Sequence, residues 1–139
     1  MQFNREIDGD VYFIRRYSRE GLVVGLPRSK MKGEGLSPED MVVKLQQSAI
    51  VLSNRIIDDW SPQCMSELRA EHIEQLCELR PELVLLGTGE ECHIPDAQII
   101  APLINAGIGV EFMGTSAACR TYNILVQDGR GVAAALLIV

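Results

Sequence analysis

The sequence predicts an α/β fold, with a mainly parallel sheet and an antiparallel, β-rich N-terminal attachment. Three observations carry that reading. From residue 70 onward the chain alternates helix, strand, helix, strand, helix, strand, the order that βαβ units leave in a sequence. Residues 83–86 (LVLL) and 132–139 (VAAALLIV) are uniformly apolar, as expected of strands covered on both faces. Residues 11–17 (VYFIRRY) and 22–26 (LVVGL) instead flank a short turn at 18–21, so the chain opens as a hairpin.

Pro27 ends the hairpin, and residues 28–36 (RSKMKGEGL) form a polar loop broken by glycine. Ser37 has the chemistry of an N-cap, with Pro38 at the first helical position and Glu39 and Asp40 behind it. From there the chain either makes one or two helical turns or passes directly into extended backbone. Residues 49–52 read as a short buried strand and 54–62 as an irregular segment, whose Trp60 is either a core lid or a surface anchor. Residues 70–79 (AEHIEQLCEL) make an amphipathic helix, with Ile73, Leu76 and Cys77 on the dry side and Glu71, Glu74 and Glu78 on the wet side. Arg80 and Pro81 end it. Residues 95–105 are helix-prone but contain Pro102, which removes a hydrogen bond and crowds the preceding turn. The regular helix is therefore expected to begin near Ala101 and stop at Gly107. Residues 108–113 (IGVEFM) are the next strand. Thr115 or Ser116 caps a helix to about Val126, and residues 128–131 (DGRG) turn the chain into its last strand.

Composition bounds the function classes. At 139 residues, 47% hydrophobic and 23% charged, the chain reads as one domain over 1–139 and excludes a disordered chain, a coiled coil or a collagen-like repeat. A formal net charge of −6 and a pI near 4.9 argue against nucleic acid as a partner. Residues 1–60 balance nine basic against nine acidic side chains, while 61–139 hold four against ten, so the whole excess lies in the second part. The longest apolar run is eight residues, far short of the roughly 20 that a membrane-spanning helix needs. Residues 1–10 carry three acids and one arginine with no apolar stretch, which predicts no leader and a cytoplasmic location.

Cys64, Cys77, Cys92 and Cys119 stand at least 13 positions apart, with no CxxC and no zinc-finger spacing. Reduced thiols, no metal and no cofactor are expected. The strongest local motif is Gly87-Thr88-Gly89 directly after an apolar strand, where backbone N–H groups can meet an anion. A dinucleotide fingerprint would need glycine where Cys92 stands, and Glu90 and Glu91 at the mouth would repel phosphate. Cys119 beside Arg120 near a helix start has the setting of a low-pKa thiol, with His93 as the one base in range; its bland alternative is a buried helix face. No GxSxG elbow occurs. Asp58 and Asp59 read as a solvated turn. Glu111 either points outward on the alternate strand face or is buried and paired with a cation, and a pair with Arg120 that pins the helix to the sheet is the expectation. No catalytic constellation is complete, so no catalytic residue is assigned.

Several segments together resemble a known family: Leu86-Gly87-Thr88-Gly89, residues 107–111 (GIGVE), Met113, Thr115, residues 117–123 (AACRTYN) and Gly129-Arg130. It is a small family of unknown biochemical function. Its members include bacterial and archaeal single-domain proteins, a mitochondrial respiratory complex I assembly factor and an adipogenesis-associated cytosolic protein. The resemblance implies a three-layer α/β fold with a mixed central sheet, and no established activity or cofactor. Gly87, Thr88, Gly89, Arg120, Tyr122 and Asn123 match the motif and form the candidate ligand or partner site. The expectation is a non-catalytic accessory or assembly factor that binds another protein, with a respiratory-complex component among the implied partners. The alternative is a small-molecule-binding protein or enzyme using a crevice between the Gly-Thr-Gly loop and the Cys-Arg-Thr-Tyr-Asn helix.

Overall fold

The computed structural model describes residues 10–31, 33 and 35–138. The acidic start of the chain, Lys32, Glu34 and Val139 lie outside the described residues. Strands β1 (Phe13–Ser18), β2 (Gly21–Gly25) and β3 (Val42–Leu45) form an antiparallel three-stranded sheet in that order. Gly21 is required where β2 leaves the turn. It has φ +128°, and a Cβ there would collide with the Leu45 carbonyl. The segment after Ser37 makes one 3-10 turn over Pro38–Met41, held by the Ser37 N–H donating to the Asp40 carboxylate, and then extends as β3. The choice left open in the sequence thus falls mostly on extended chain.

The second sheet contains β4 (Ala49–Val51), β5 (Ile56–Ile57), β6 (Leu83–Gly87), β7 (Gly109–Met113) and β8 (Val132–Leu136). Its order is β5-β4-β8-β6-β7. Strands β8, β6 and β7 are parallel to one another, while β4 and β5 join antiparallel, so the sheet is mixed. Three helices complete the fold: α1 (Ala70–Glu78), α2 (Ala97–Asn105) and α3 (Thr115–Gln127).

Alternation along the central strands assigns the layers. Val132, Ala134 and Leu136 of β8 and Leu85 of β6 pack with Ala118, Tyr122 and Val126 of α3. Ala133 and Ala135, with Val84 and Leu86, face Ile73 and Leu76 of α1 and Leu103 of α2. The fold is therefore three-layered, with α3 on one face and α1 and α2 on the other. Ile14, Leu22 and Val24 of the N-terminal sheet close over α3. The alanines of β8 keep the middle of the sheet thin, so helices approach from both sides.

Four local expectations need correction. Helix α2 begins at Ala97, not near Ala101, and carries Pro102 inside it. The bond lost to proline is the one Gln98 would have accepted, and Gln98 is exposed, so water can take its carbonyl. Gly114, rather than Thr115 or Ser116, is the N-cap of α3 and has no side chain to cap with, while the Thr115 hydroxyl is engaged with Gly89 N–H and Leu137 O. The irregular segment contains strand β5, and its Trp60 is a core residue at 2% exposure. Glu111 and Arg120 are both exposed, so no buried pair pins α3; an exposed pair contributes little.

Candidate functional site

The chain passes from β6 through α2 to the neighbouring β7, then through α3 on the opposite face back to β8 on the far side of β6. The loops after β6 and β7 therefore part to opposite faces at the carboxyl ends of the strands, where open α/β sheets form their crevices. The loop 87–89 lies there, and its polar groups are engaged within the protein. The Thr88 N–H donates to Met113 O at 2.9 Å. The Gly89 N–H donates to Thr115 Oγ1 at 2.9 Å, and Thr115 Oγ1 donates to Leu137 O at 2.6 Å. Thr88 Oγ1 lies against the carbonyls of Glu91 and Met113 and accepts the His93 N–H at 3.0 Å. These amides knit three strand ends together rather than opening toward an anion.

Gly87 is enclosed. A Cβ would lie 3.0 Å from both Leu136 Cδ2 and Thr115 Cα, so glycine lets the first turn of α3 seat against the sheet. Thr88 and Gly89 line a groove of about 610 Å³ whose other walls include Arg19, Met65, Glu90, Glu91 and His93. Arg19, from the hairpin turn, meets Glu90 at 3.0 Å across its rim, with both side chains largely exposed. Ile94, the next residue along, is 75% exposed.

Tyr122 and Asn123 sit elsewhere. Both are buried, at 0% and 3% exposure. The Tyr122 hydroxyl donates to Tyr12 O at 2.7 Å. The Asn123 amide spans one backbone residue of β1, accepting the Ile14 N–H and donating to Ile14 O, both at 2.8 Å. Together they fix the N-terminal sheet to α3. Arg120 is exposed on the same helix. The structure thus brings Thr88 and Gly89 to one groove, places Gly87 behind them, and sets Tyr122 and Asn123 in the core. Cys119 is fully buried, and burial pushes its thiol up to about 12 against the opposing pull of Arg120. Its bland alternative is the observed one. No group of three or more His, Cys, Asp or Glu suited to a metal occurs among the described residues.

Sequence reasoning missed Arg19 and Met65 as groove residues, since both come from distant segments. It also missed Thr115 as a hinge of the loop, although a threonine next to a strand-ending glycine and the 87–89 turn carried a faint signal.

Residues 14–137 match the family described as protein of unknown function (DUF498/DUF598). The chain belongs to this family. Within its sequence range, it is 34% identical over 73 residues to the "13 kDa major membrane protein" of Francisella tularensis, covering 52% of this chain and 59% of that protein. It is 39% identical over 62 residues to the human NADH dehydrogenase (ubiquinone) 1 alpha subcomplex assembly factor 3, covering 45% and 34% respectively. Both matches span less than two thirds of the relative. A crystal structure of a Bordetella parapertussis protein superposes with a TM-score of 0.74 at 29% identity, over 91% of this chain and 95% of that one. This DUF498/DUF598 chain has no helix among its described residues long and apolar enough to cross a membrane.

Proposed function

We propose that this protein is a non-catalytic accessory or assembly factor of the cytoplasm that binds another protein through the groove at the carboxyl ends of β6 and β7. One observation carries the reading: the polar groups of the motif are committed inside the fold. The amides of Thr88 and Gly89, the Tyr122 hydroxyl and the Asn123 amide all hold strands and helix in place, and the Cys119 thiol is buried and kept protonated. What they support is an outer surface in which Arg19, Glu90 and Glu91 line the groove with Met65, and exposed Ile94 follows the groove residue His93 in the chain. In this reading Thr88 and Gly89 line the partner surface, Gly87, Tyr122 and Asn123 hold its shape, and Arg120 is a separate exposed contact. The relatives named as NADH dehydrogenase (ubiquinone) 1 alpha subcomplex assembly factor 3 support a respiratory-complex component as the partner.

The test is capture of partners from the native cell with wild type and with Glu91→Lys and Ile94→Asp variants. Both positions are exposed, so the variants are expected to melt as wild type does while losing the same partner. Retention of every partner by both variants, or turnover of a metabolite by the purified chain, would sink the proposal.

A further inference from the structure

The outer face of the N-terminal sheet, turned away from α3, carries a side-chain arrangement that the register of β1 creates. Ile14 stands opposite Val24 and Arg16 opposite Val23, so Arg15 is an extra residue with no partner in β2. Such a bulge breaks the in-and-out alternation of a strand and re-aims its side chains. Ile14 and Tyr17 both turn into the core, and Arg15 and Arg16 between them both line one cavity of about 330 Å³ on the outer face. In a regular strand these two arginines would point to opposite faces. Lys44 of β3 lines the same cavity, and Arg16, Val23 and Lys44 stand in one row across the three strands, a span of about 10 Å. Arg15 is held in place. Its Cζ lies 5.0 Å from the Phe13 ring centroid. A Cβ on Gly25 would fall 2.6 Å from that ring and 2.8 Å from Arg15 Nε, so glycine lets both groups lie on β2. None of the three cations has an ion pair among the described residues. Glu39 is the one carboxylate lining the cavity among those residues, so the patch is basic in a chain whose formal net charge is −6.

We infer that this face docks an acidic segment of a partner protein, with carboxylates on either side of an apolar side chain. Charge complementarity gives the acids: two guanidiniums that fork onto carboxylates and one ammonium share a single small face. Charges beyond roughly 8 Å are screened at physiological ionic strength, so the patch, rather than the net charge, governs contact here. The shape gives the apolar side chain. Half-buried Val23 and Val42, with Pro38, line the same cavity, a hollow that one side chain fills and that a flat bilayer or a bare phosphate does not. Because Arg15 is already stacked on Phe13, less side-chain freedom is lost when a carboxylate binds it. The surface lies apart from the groove after β6, whose walls include Glu90 and Glu91, and neither contact requires the other.

The experiment follows backbone amide cross-peaks of the full chain during titration with a synthetic peptide in which leucine is flanked on each side by glutamates. The controls are the same peptide with glutamine in place of glutamate, inorganic phosphate, and vesicles of phosphatidylcholine with phosphatidylglycerol. Saturable shifts confined to β1, β2 and β3 are expected with the glutamate peptide. The response to each control is expected to be at least tenfold weaker. Arg16→Glu and Lys44→Glu change exposed side chains, and each is expected to weaken peptide binding tenfold or more while leaving the melting temperature near wild type. Glu91→Lys, in the groove, is expected to leave peptide binding unchanged, so failure of this surface is read separately from failure of the groove. No saturable shift with the glutamate peptide, equal binding of the glutamine peptide, of phosphate or of the vesicles, or binding unchanged by both face substitutions overturns the inference.

Discussion

At the residue scale, Asn123 shows how a motif position can be structural. Its amide satisfies both backbone groups of Ile14, a residue with 0% exposure, across 109 positions of chain. Truncation to alanine orphans both groups, at about 1–3 kcal/mol each, a large share of the roughly 5–15 kcal/mol that holds a domain together. Asn123→Ala is therefore expected to lower the urea midpoint strongly, whatever the partner. Cys119 makes a complementary point. Burial pushes its thiol from the ordinary 9.0 up to about 12, so the native fold favours the neutral form. That contribution is intact below pH 9 and is lost as pH climbs from 9 toward 12. At pH 8, iodoacetamide is expected to label exposed Cys92 in the native protein and Cys119 only after unfolding, as peptide mass mapping will read. Labelling of native Cys119 at a comparable rate would show that it has access to solvent.

At the element scale, the joint between β6 and β8 carries a pH signature. Arg130 Nε donates to Glu82 Oε2 at 3.1 Å, and the Gly131 N–H donates to Glu82 Oε1 at 3.3 Å. These bonds, the Arg130 one first, hold the Glu82 carboxyl below its ordinary value of 4.5. A lowered folded value stabilises the native state above the unfolded value and ceases to do so as pH falls through the folded one. Glu82→Gln is thus expected to melt below wild type at pH 7 and to converge with it as pH falls below 4.5 through the lowered folded value, in melting curves collected across that range. A constant gap at all pH values would trace the effect to packing instead. The same elements show what the sequence made legible. Alternation from residue 70 leaves helix and strand legible in the right order because β6 and β8 are continuously apolar, β7 is interrupted only by Glu111, and each helix has one dry face. Strand β5 escaped because two isoleucines leave no period to read. The start of α2 was misplaced because proline's cost depends on who loses the bond, and exposed Gln98 loses little. The roles of Tyr122 and Asn123 as ties to β1 were less visible still: their partners are backbone groups, which leave no mark on residue identity.

At the scale of the whole molecule, the central sheet separates two cores that spectroscopy can follow apart. All three tyrosines, Tyr12, Tyr17 and Tyr122, lie in the core between the N-terminal sheet, α3 and the central sheet. The sole tryptophan, Trp60, lies in the core on the other face, with α1 and α2. The two cores share strands β4, β6 and β8, whose side chains alternate between them, so loss of either face exposes the backs of the same strands. That sharing predicts one cooperative transition in the wild type, with tyrosine and tryptophan signals coincident in urea. The N-terminal sheet, however, contributes no strand to the central sheet. It is held by its apolar face and by the hydrogen bonds from Tyr122 and Asn123, so weakening those bonds lowers its local opening energy before the global one. In Asn123→Ala the tyrosine signal is expected to change at lower urea than Trp60 fluorescence, with amides of β1 to β3 exchanging faster than those of β6 and β8. Coincident transitions in the variant, at a lower common midpoint, would instead mean that the N-terminal sheet and the α/β layers unfold as one unit even when the Asn123 tie between them is cut.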